Sequence, residues 1–180
     1  MKTTKKIVET YCRYVKQWFT ISNIRCSGQY EIDLLAVDTT DKGKGLGRYH
    51  IECGVSISGS YSTLTANDPS SDMRTDLVQA AGQWRTVGDF IERTFDKAEV
   101  QEQLAVYGFM PGNHKRVIVT WGATDDATAL ALKKDVELWD FRDLLHQIAD
   151  LQREHHSFFT DDMVRTIQLY SMAFNAPKTT

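Results

Sequence analysis

Two short apolar runs each carry an acid. Asp33 stands in Glu31-Ile32-Asp33-Leu34-Leu35-Ala36-Val37, and Glu52 in Arg48-Tyr49-His50-Ile51-Glu52-Cys53. Between them Asp41-Lys42-Gly43-Lys44-Gly45-Leu46-Gly47 is turn material that no helix would tolerate, so residues 30–37 and 48–57 are predicted as the strands of a β-hairpin. Side chains alternate along a strand. Alternation puts Glu31, Asp33 and Leu35 on one face of the first strand, and His50, Glu52, Gly54 and Ser56 on one face of its partner. With Asp33 and Glu52 on the same side, two carboxylates converge beside a glycine gap. The pair is either solvated on the wet face of a hairpin or the oxygen ligand set of a hard divalent cation.

The elements that must position these acids follow from periodicity. Ile7, Tyr11, Tyr14 or Val15, and Trp18 recur at helical spacing, which predicts a helix over 4–18 carrying Glu9. Glu9 can also pair with Arg13 one turn on. Residues 19–26 are predicted as a first strand, with Ser27-Gly28-Gln29 turning into the acid-bearing one. Beyond the hairpin, 58–71 is a loop rich in Ser, Gly, Asn, Asp and Pro. A long helix is predicted over 71–95, with Leu77, Ala81, Trp84, Gly88, Ile91 and Phe95 as its buried stripe and Gln79 and Gln83 on a neighbouring face. Residues 107–113 form a turn cluster; then come strand 116–121, helix 124–134, strand 136–140 and helix 141–153, the order of a parallel crossover. Thr160-Asp161-Asp162 caps a last helix, 160–174, whose Met163, Ile167, Tyr170 and Phe174 make an apolar stripe that closes its own core or serves a homodimer.

The pattern Gly-x-x-Glu-Ile-Asp-Leu-Leu-Ala, a turn, and a strand ending His-Ile-Glu resembles the core of the PD-(D/E)xK nuclease superfamily, in its branch of Mrr-type and Holliday-junction-resolvase-like proteins. The likeness covers about residues 5–153, and the hairpin motif is its specific part. It implies an α/β, restriction-endonuclease-like αβββαβ core, a mixed central sheet flanked by helices, with extra C-terminal helices. It further implies that Asp33 and Glu52 hold Mg²⁺ or Mn²⁺, with Glu9 on the preceding helix as an additional acid, for hydrolysis of phosphodiester bonds in nucleic acid, DNA foremost. Gln79 and Gln83 become candidates for contacting the site or the nucleic acid. The lysine of the pattern falls on Gly54. In that superfamily the lysine positions or activates the attacking water and stabilises transition-state charge, so its work would pass to another group. His50, two residues before Glu52 on the same face, is the nearest by strand geometry, and Lys16 or Arg13 could reach from the first helix.

Composition bounds the rest. A chain of 180 residues with 42% hydrophobic and 25% charged residues fits one soluble globular domain spanning 1–180. No apolar run suits a membrane span and the N-terminal segment is not a secretion signal, so no membrane association and a cytoplasmic address are expected. Cys12, Cys26 and Cys53 are odd in number and lack zinc spacing, which argues against a disulfide framework or a zinc site. The net charge of −3 disfavours nonspecific coating of nucleic acid. Residues 1–50 nevertheless hold nine Lys and Arg against five Asp and Glu, a net +4 that leaves −7 for 51–180. A DNA-facing surface around Lys42, Lys44, Arg48 and the N-terminal lysines is consistent with that asymmetry. The glycine-rich stretch is not a phosphate-cradling loop, because its lysines are not followed by Ser or Thr at the mouth of a helix. His155-His156 point apart and make a poor metal pair. Three functions remain open: a divergent metal-dependent nuclease, a degenerate domain of that fold that binds nucleic acid or protein, and an assembly subunit.

Overall fold

In the computed structural model, residues 3–40, 46–55, 63–66, 85–154 and 161–175 are described. The chain opens with helix α1 (Thr3–Thr10), which widens into a π-helical turn over Tyr11–Val15. Strands β1 (Phe19–Arg25), β2 (Glu31–Asp38) and β3 (Gly47–Cys53) follow, with a single 3₁₀ turn, Ser27–Gln29, joining the first two. Short strands β4 (Leu64–Thr65) and β5 (Arg85–Thr86) pair in parallel with each other. Helices α2 (Val87–Thr94) and α3 (Ala98–Val106) lead to β6 (Lys115–Thr120), α4 (Asp125–Lys133), β7 (Val136–Asp140), α5 (Phe141–Glu154) and α6 (Asp162–Asn175).

The main sheet runs β1-β2-β3-β6-β7. Its first three strands are antiparallel neighbours and its last three are parallel, so the expected mixed α/β sheet flanked by helices is what the chain forms. On one face α1, the π turn and α5 pack Val8, Tyr11, Cys12, Phe141, Leu144 and Ile148 against Leu34, Ala36, Ile51, Val117 and Val119. On the other face α2 and α4 bury Phe90, Ile91, Phe95, Ala127 and Ala131 against Ile118, while α3 sets Val100 and Leu104 on Ile24, Ile32 and Leu35. Each fully buried aliphatic or aromatic side chain of this kind contributes about 1.5–3 kcal/mol.

Local chemistry sets the helix ends. Thr124 accepts a hydrogen bond from the Ala127 N–H at 3.2 Å, and Asp125 and Asp126 occupy the first turn of α4 where the helix dipole favours acids. Asp161 caps α6 through the Met163 N–H at 2.9 Å.

Several expectations need correction. The chain is extended at Arg85–Thr86, and Thr86 accepts from the Asp89 N–H at 3.1 Å to start a new helix, so one helix cannot run through 71–95. Its buried face is Val87, Phe90 and Ile91, with Phe95 just beyond, and Gly88 faces outward. Helix α3 lies just before the expected turn cluster, in residues for which the sequence predicted no element. On α6 the buried side chains are Val164 and Gln168, Ile167 of the expected stripe packs on the core beside them, and Tyr170 is 66% exposed.

Candidate functional site

Strands β2 and β3 part where the acids sit. Their backbone ladder stops at the Leu34–Ile51 pair. Beyond it, β2 keeps its pairing with β1 at Ile32–Ile24 and Glu31–Arg25, and β3 keeps its pairing with β6 at Glu52–Ile118 and Cys53–Val119. The acids bridge the fork. Asp33 donates its backbone N–H to Glu52 Oε1 at 3.2 Å, and the Cys53 N–H donates to Asp33 Oδ2 at 2.8 Å, so each carboxylate takes up a donor that the interrupted ladder would leave open.

Strict alternation does not survive this fork. Asn23, opposite Asp33 in the β1–β2 register, has a left-handed backbone with φ of 55°. Ser22 therefore reaches α1, donating to Glu9 Oε1 at 3.3 Å, while Ile24 packs with Ile32 and Leu35 on the other face. The expectation that Glu31, Asp33 and Leu35 share a face is corrected accordingly. Lys5 of α1 reaches Glu31 and Asp33, and Leu35 lies with Val100 and Leu104 on the opposite side of the sheet.

The acids are deeply placed. Asp33 is 8% exposed and Glu52 3%. Burial, then the Asp33 charge, pushes the Glu52 carboxyl well above the usual carboxylate range, against the pull of the Asp33 N–H and of Lys5. His50 is fully buried on the same face of β3 as Glu52, as alternation predicts, with Nε2 2.8 Å from Glu52 Oε1. Burial, reinforced by His114 and Arg116, lowers His50 to about 3, which keeps the imidazole neutral at physiological pH. Its Nδ1 has no hydrogen-bond partner among the described residues. Phe95 meets the ring edge-on at 4.7 Å.

Lys5 was expected only as one of the N-terminal lysines of a DNA-facing surface, and the structure sets it beside the acids. Its Nζ contacts Asp33 Oδ1 and lies 2.8 Å from Glu31 Oε1. Burial pulls its pKa down, but the hydrogen bonds to Asp33 and Glu31 outweigh that and hold the ammonium at about 12. Lys16 and Arg13, the helix residues considered for the absent lysine, lie over the Tyr11 and Tyr14 rings at 5.6 and 5.7 Å. Gly54 is also not a gap. A Cβ there would stand 3.1 Å from the Val119 carbonyl oxygen and 3.2 Å from the Phe90 ring.

The remaining expected residues scatter. Glu9 is buried on α1 between Ser22 and Lys6, and it does not join Asp33 and Glu52: among the described residues no three His, Cys, Asp or Glu side chains gather as a metal cage. Arg48 stands four residues before Glu52 on β3, about 13 Å along the strand. Lys42, Lys44, Gln79 and Gln83, like His155 and His156, lie outside the described residues. A cavity of about 320 Å³, lined by Trp18, Tyr49, Trp139 and Asp143 among others, contains neither Asp33 nor Glu52. Burial also raises the thiols, Cys12 to about 12, so none is poised as a nucleophile.

Fold and site together define an α/β protein whose mixed five-stranded sheet opens around two buried carboxylates. Compared with solved structures, the chain is similar to a repair endonuclease from Pyrococcus abyssi, at 10% identity and a TM-score of 0.35. The similarity covers 78% of this chain and 47% of that one, so this chain spans about half of that protein's length. A likeness of this size leaves the chemistry to be argued from the site's own residues. No protein-family model matches the chain, and no curated protein does. No helix among the described residues is long and apolar enough to cross a membrane.

Proposed function

We propose that this protein is a divergent metal-dependent nuclease that hydrolyses phosphodiester bonds of nucleic acid, DNA foremost, with Asp33 and Glu52 as its metal-holding pair. One observation carries the reading: two carboxylates, 8% and 3% exposed, each accept a backbone N–H from the other's strand where the sheet forks. Burying a second acid beside the first is unfavourable, as the raised Glu52 pKa records. Such arrangements concentrate at sites where the shift serves chemistry.

The donor set suits magnesium better than a metal that demands a full protein cage. Mg²⁺ keeps several waters and binds through one or two carboxylates plus substrate phosphate oxygens, and two carboxylates are what this fork supplies. Bound there, the cation would supply Lewis-acid charge to a phosphoryl oxygen and ease deprotonation of water. The chain's own residues do the rest. The Asp33 and Cys53 N–H groups fix the two carboxylates, and neutral His50 orients Glu52 through its 2.8 Å contact. Glu9, tied to Ser22, buttresses α1 against β1.

The test is calorimetric titration of Mg²⁺ and Mn²⁺ into the protein and into Asp33→Ala and Glu52→Ala, with a cleavage assay on the same samples. Binding and cleavage lost together in both variants is the expected result. A wild-type protein that binds no metal, even with DNA present, defeats the nuclease reading.

A second reading, a domain of this fold that binds nucleic acid or protein without cutting, draws on Gly54. Phe90 and the Val119 carbonyl occupy the direction a lysine would take from that strand. Saturable DNA binding without cleavage under either metal would favour it.

A further inference from the structure

We infer that Lys5 is the phosphate-contacting cation of this site, and that it exchanges Glu31 for a phosphoryl oxygen of the substrate while remaining anchored on Asp33. The inference rests on the nucleic-acid reading above and concerns a residue that the hairpin motif does not contain.

Three observations converge on it. First, Lys5 is placed by the acids and not by its helix. It stands in the first turn of α1, which has no acidic residue and where the helix dipole disfavours a cation. Second, its two anchors differ in kind. Asp33 is buried and fixed from behind by the Cys53 N–H, whereas the Glu31 side chain is 41% exposed at the end of β2. Solvent and an incoming anion compete readily for the outer contact and poorly for the inner one. Third, no cation can come from the neighbouring strand position, because a side chain at Gly54 would run into Phe90 and Val119. Lys16 and Arg13 are engaged with aromatic rings instead.

The chemistry asks for such a charge. In hydrolysis a water oxygen forms a bond to phosphorus and the bond from phosphorus to one sugar oxygen breaks. That oxygen leaves with the bonding pair and takes up a proton, while the attacking water gives a proton to bulk solvent. Negative charge accumulates on the non-bridging oxygens in between, where a positioned ammonium is effective. Lys5 donates hydrogen bonds and keeps its own protons throughout. Glu31 is its resting partner when no substrate is bound.

The experiment compares wild type, Lys5→Met, Lys5→Arg and Glu31→Gln in two assays. One is cleavage of a DNA duplex with Mn²⁺, resolved into kcat and KM. The other is binding of the same duplex with Ca²⁺ in place of Mn²⁺, followed as a function of salt. Loss of one phosphate contact lowers the slope of log K against log[salt] by about 0.9 for duplex DNA. Lys5→Met should show that loss together with a kcat lower by about 100-fold or more, and Lys5→Arg should retain the slope. Glu31→Gln, altered at an exposed position, should bind more tightly because Lys5 is released. An unchanged slope in Lys5→Met, or an unchanged affinity in Glu31→Gln should Lys5→Met not fold, overturns the inference. A wild type whose binding shows the Lys5-dependent slope but which cuts nothing overturns the nuclease reading alone. A wild type that neither binds nor cuts removes both.

Discussion

His50 and Glu52, two residues apart on β3, meet at 2.8 Å while their protonation preferences are displaced in opposite directions. Burial lowers the imidazole to about 3 and raises the carboxyl. Both shifts favour the uncharged form, the cheaper state for two groups removed from water.

The pH dependence of stability follows from the two signs. His50 titrates from 6.5 when unfolded to about 3 when folded, so its contribution is present above 6.5 and lost as pH falls toward 3. Glu52 does the reverse. Its contribution is complete below 4.5 and lost as pH rises through its elevated folded value. Above 4.5 and below 6.5 the two contributions therefore oppose each other. His50→Gln should uncover a fall with rising pH above 4.5, and Glu52→Gln a rise with pH below 6.5. Urea denaturation at pH 4.5, 5.5 and 6.5 measures both, and parallel profiles for all three proteins would refute the assignment.

Asp33 joins the fork to α1, and removing it should be felt in the whole fold. Asp33→Ala leaves Lys5 without its buried partner and the Cys53 N–H without an acceptor. The expected loss is about 3 kcal/mol. Asp33→Asn keeps an oxygen for Cys53 and should lose about half as much. Equal, small losses in both, measured by chemical denaturation, would mean that Lys5 holds α1 in place through Glu31 alone.

Metal binding should be coupled to the proton on Glu52. A cation held by Asp33 and Glu52 requires the carboxylate form, so affinity should rise with pH and binding should release protons. Calorimetry in buffers of different ionisation enthalpy reads that release directly. At Mg²⁺ concentrations near 100 times Kd, binding adds about 2.7 kcal/mol of stability, a Tm increase of about 5–10 °C for a chain of this size. Glu52→Gln should show neither the proton nor the increase.

The hairpin was legible because β-branched and aromatic runs flank a glycine-rich turn, and His50 beside Glu52 followed from a period of two. The facing of Asp33 was not legible. It depends on the left-handed backbone at Asn23, a residue that carries no glycine signal. Nor could the sequence set Lys5, one of the N-terminal lysines, beside Asp33. Its approach to Asp33 is set by how α1 lies across the sheet, and neither residue's local pattern encodes that. The start of α2 was within reach, since Thr86 three residues before Asp89 is a capping signal, but an apparent stripe running from Leu77 concealed it. Helix α3 escaped for the opposite reason: Ala98–Val106 buries only Val100 and Leu104, too few for a periodic pattern to stand out.

Gly54 gives the most direct trial of whether the lysine position can be restored. Its N–H donates to the Val119 carbonyl at 2.8 Å, which locks the end of β3 onto β6. Any Cβ there presses on that same carbonyl and on Phe90, a residue that α2 fixes from its Thr86 cap. Gly54→Ala should therefore cost about 1–3 kcal/mol by overpacking. Gly54→Lys should cost at least as much and should not raise cleavage, because its side chain enters the apolar cluster of Phe90 and Ile118. Pairing the change with Phe90→Ala supplies room and distinguishes two explanations. If crowding alone excludes a lysine, the double variant should recover stability relative to Gly54→Lys, and a Lys5→Met background should regain cleavage through the new ammonium. If stability returns and cleavage does not, the charge is needed on the α1 side of the fork, where Lys5 stands.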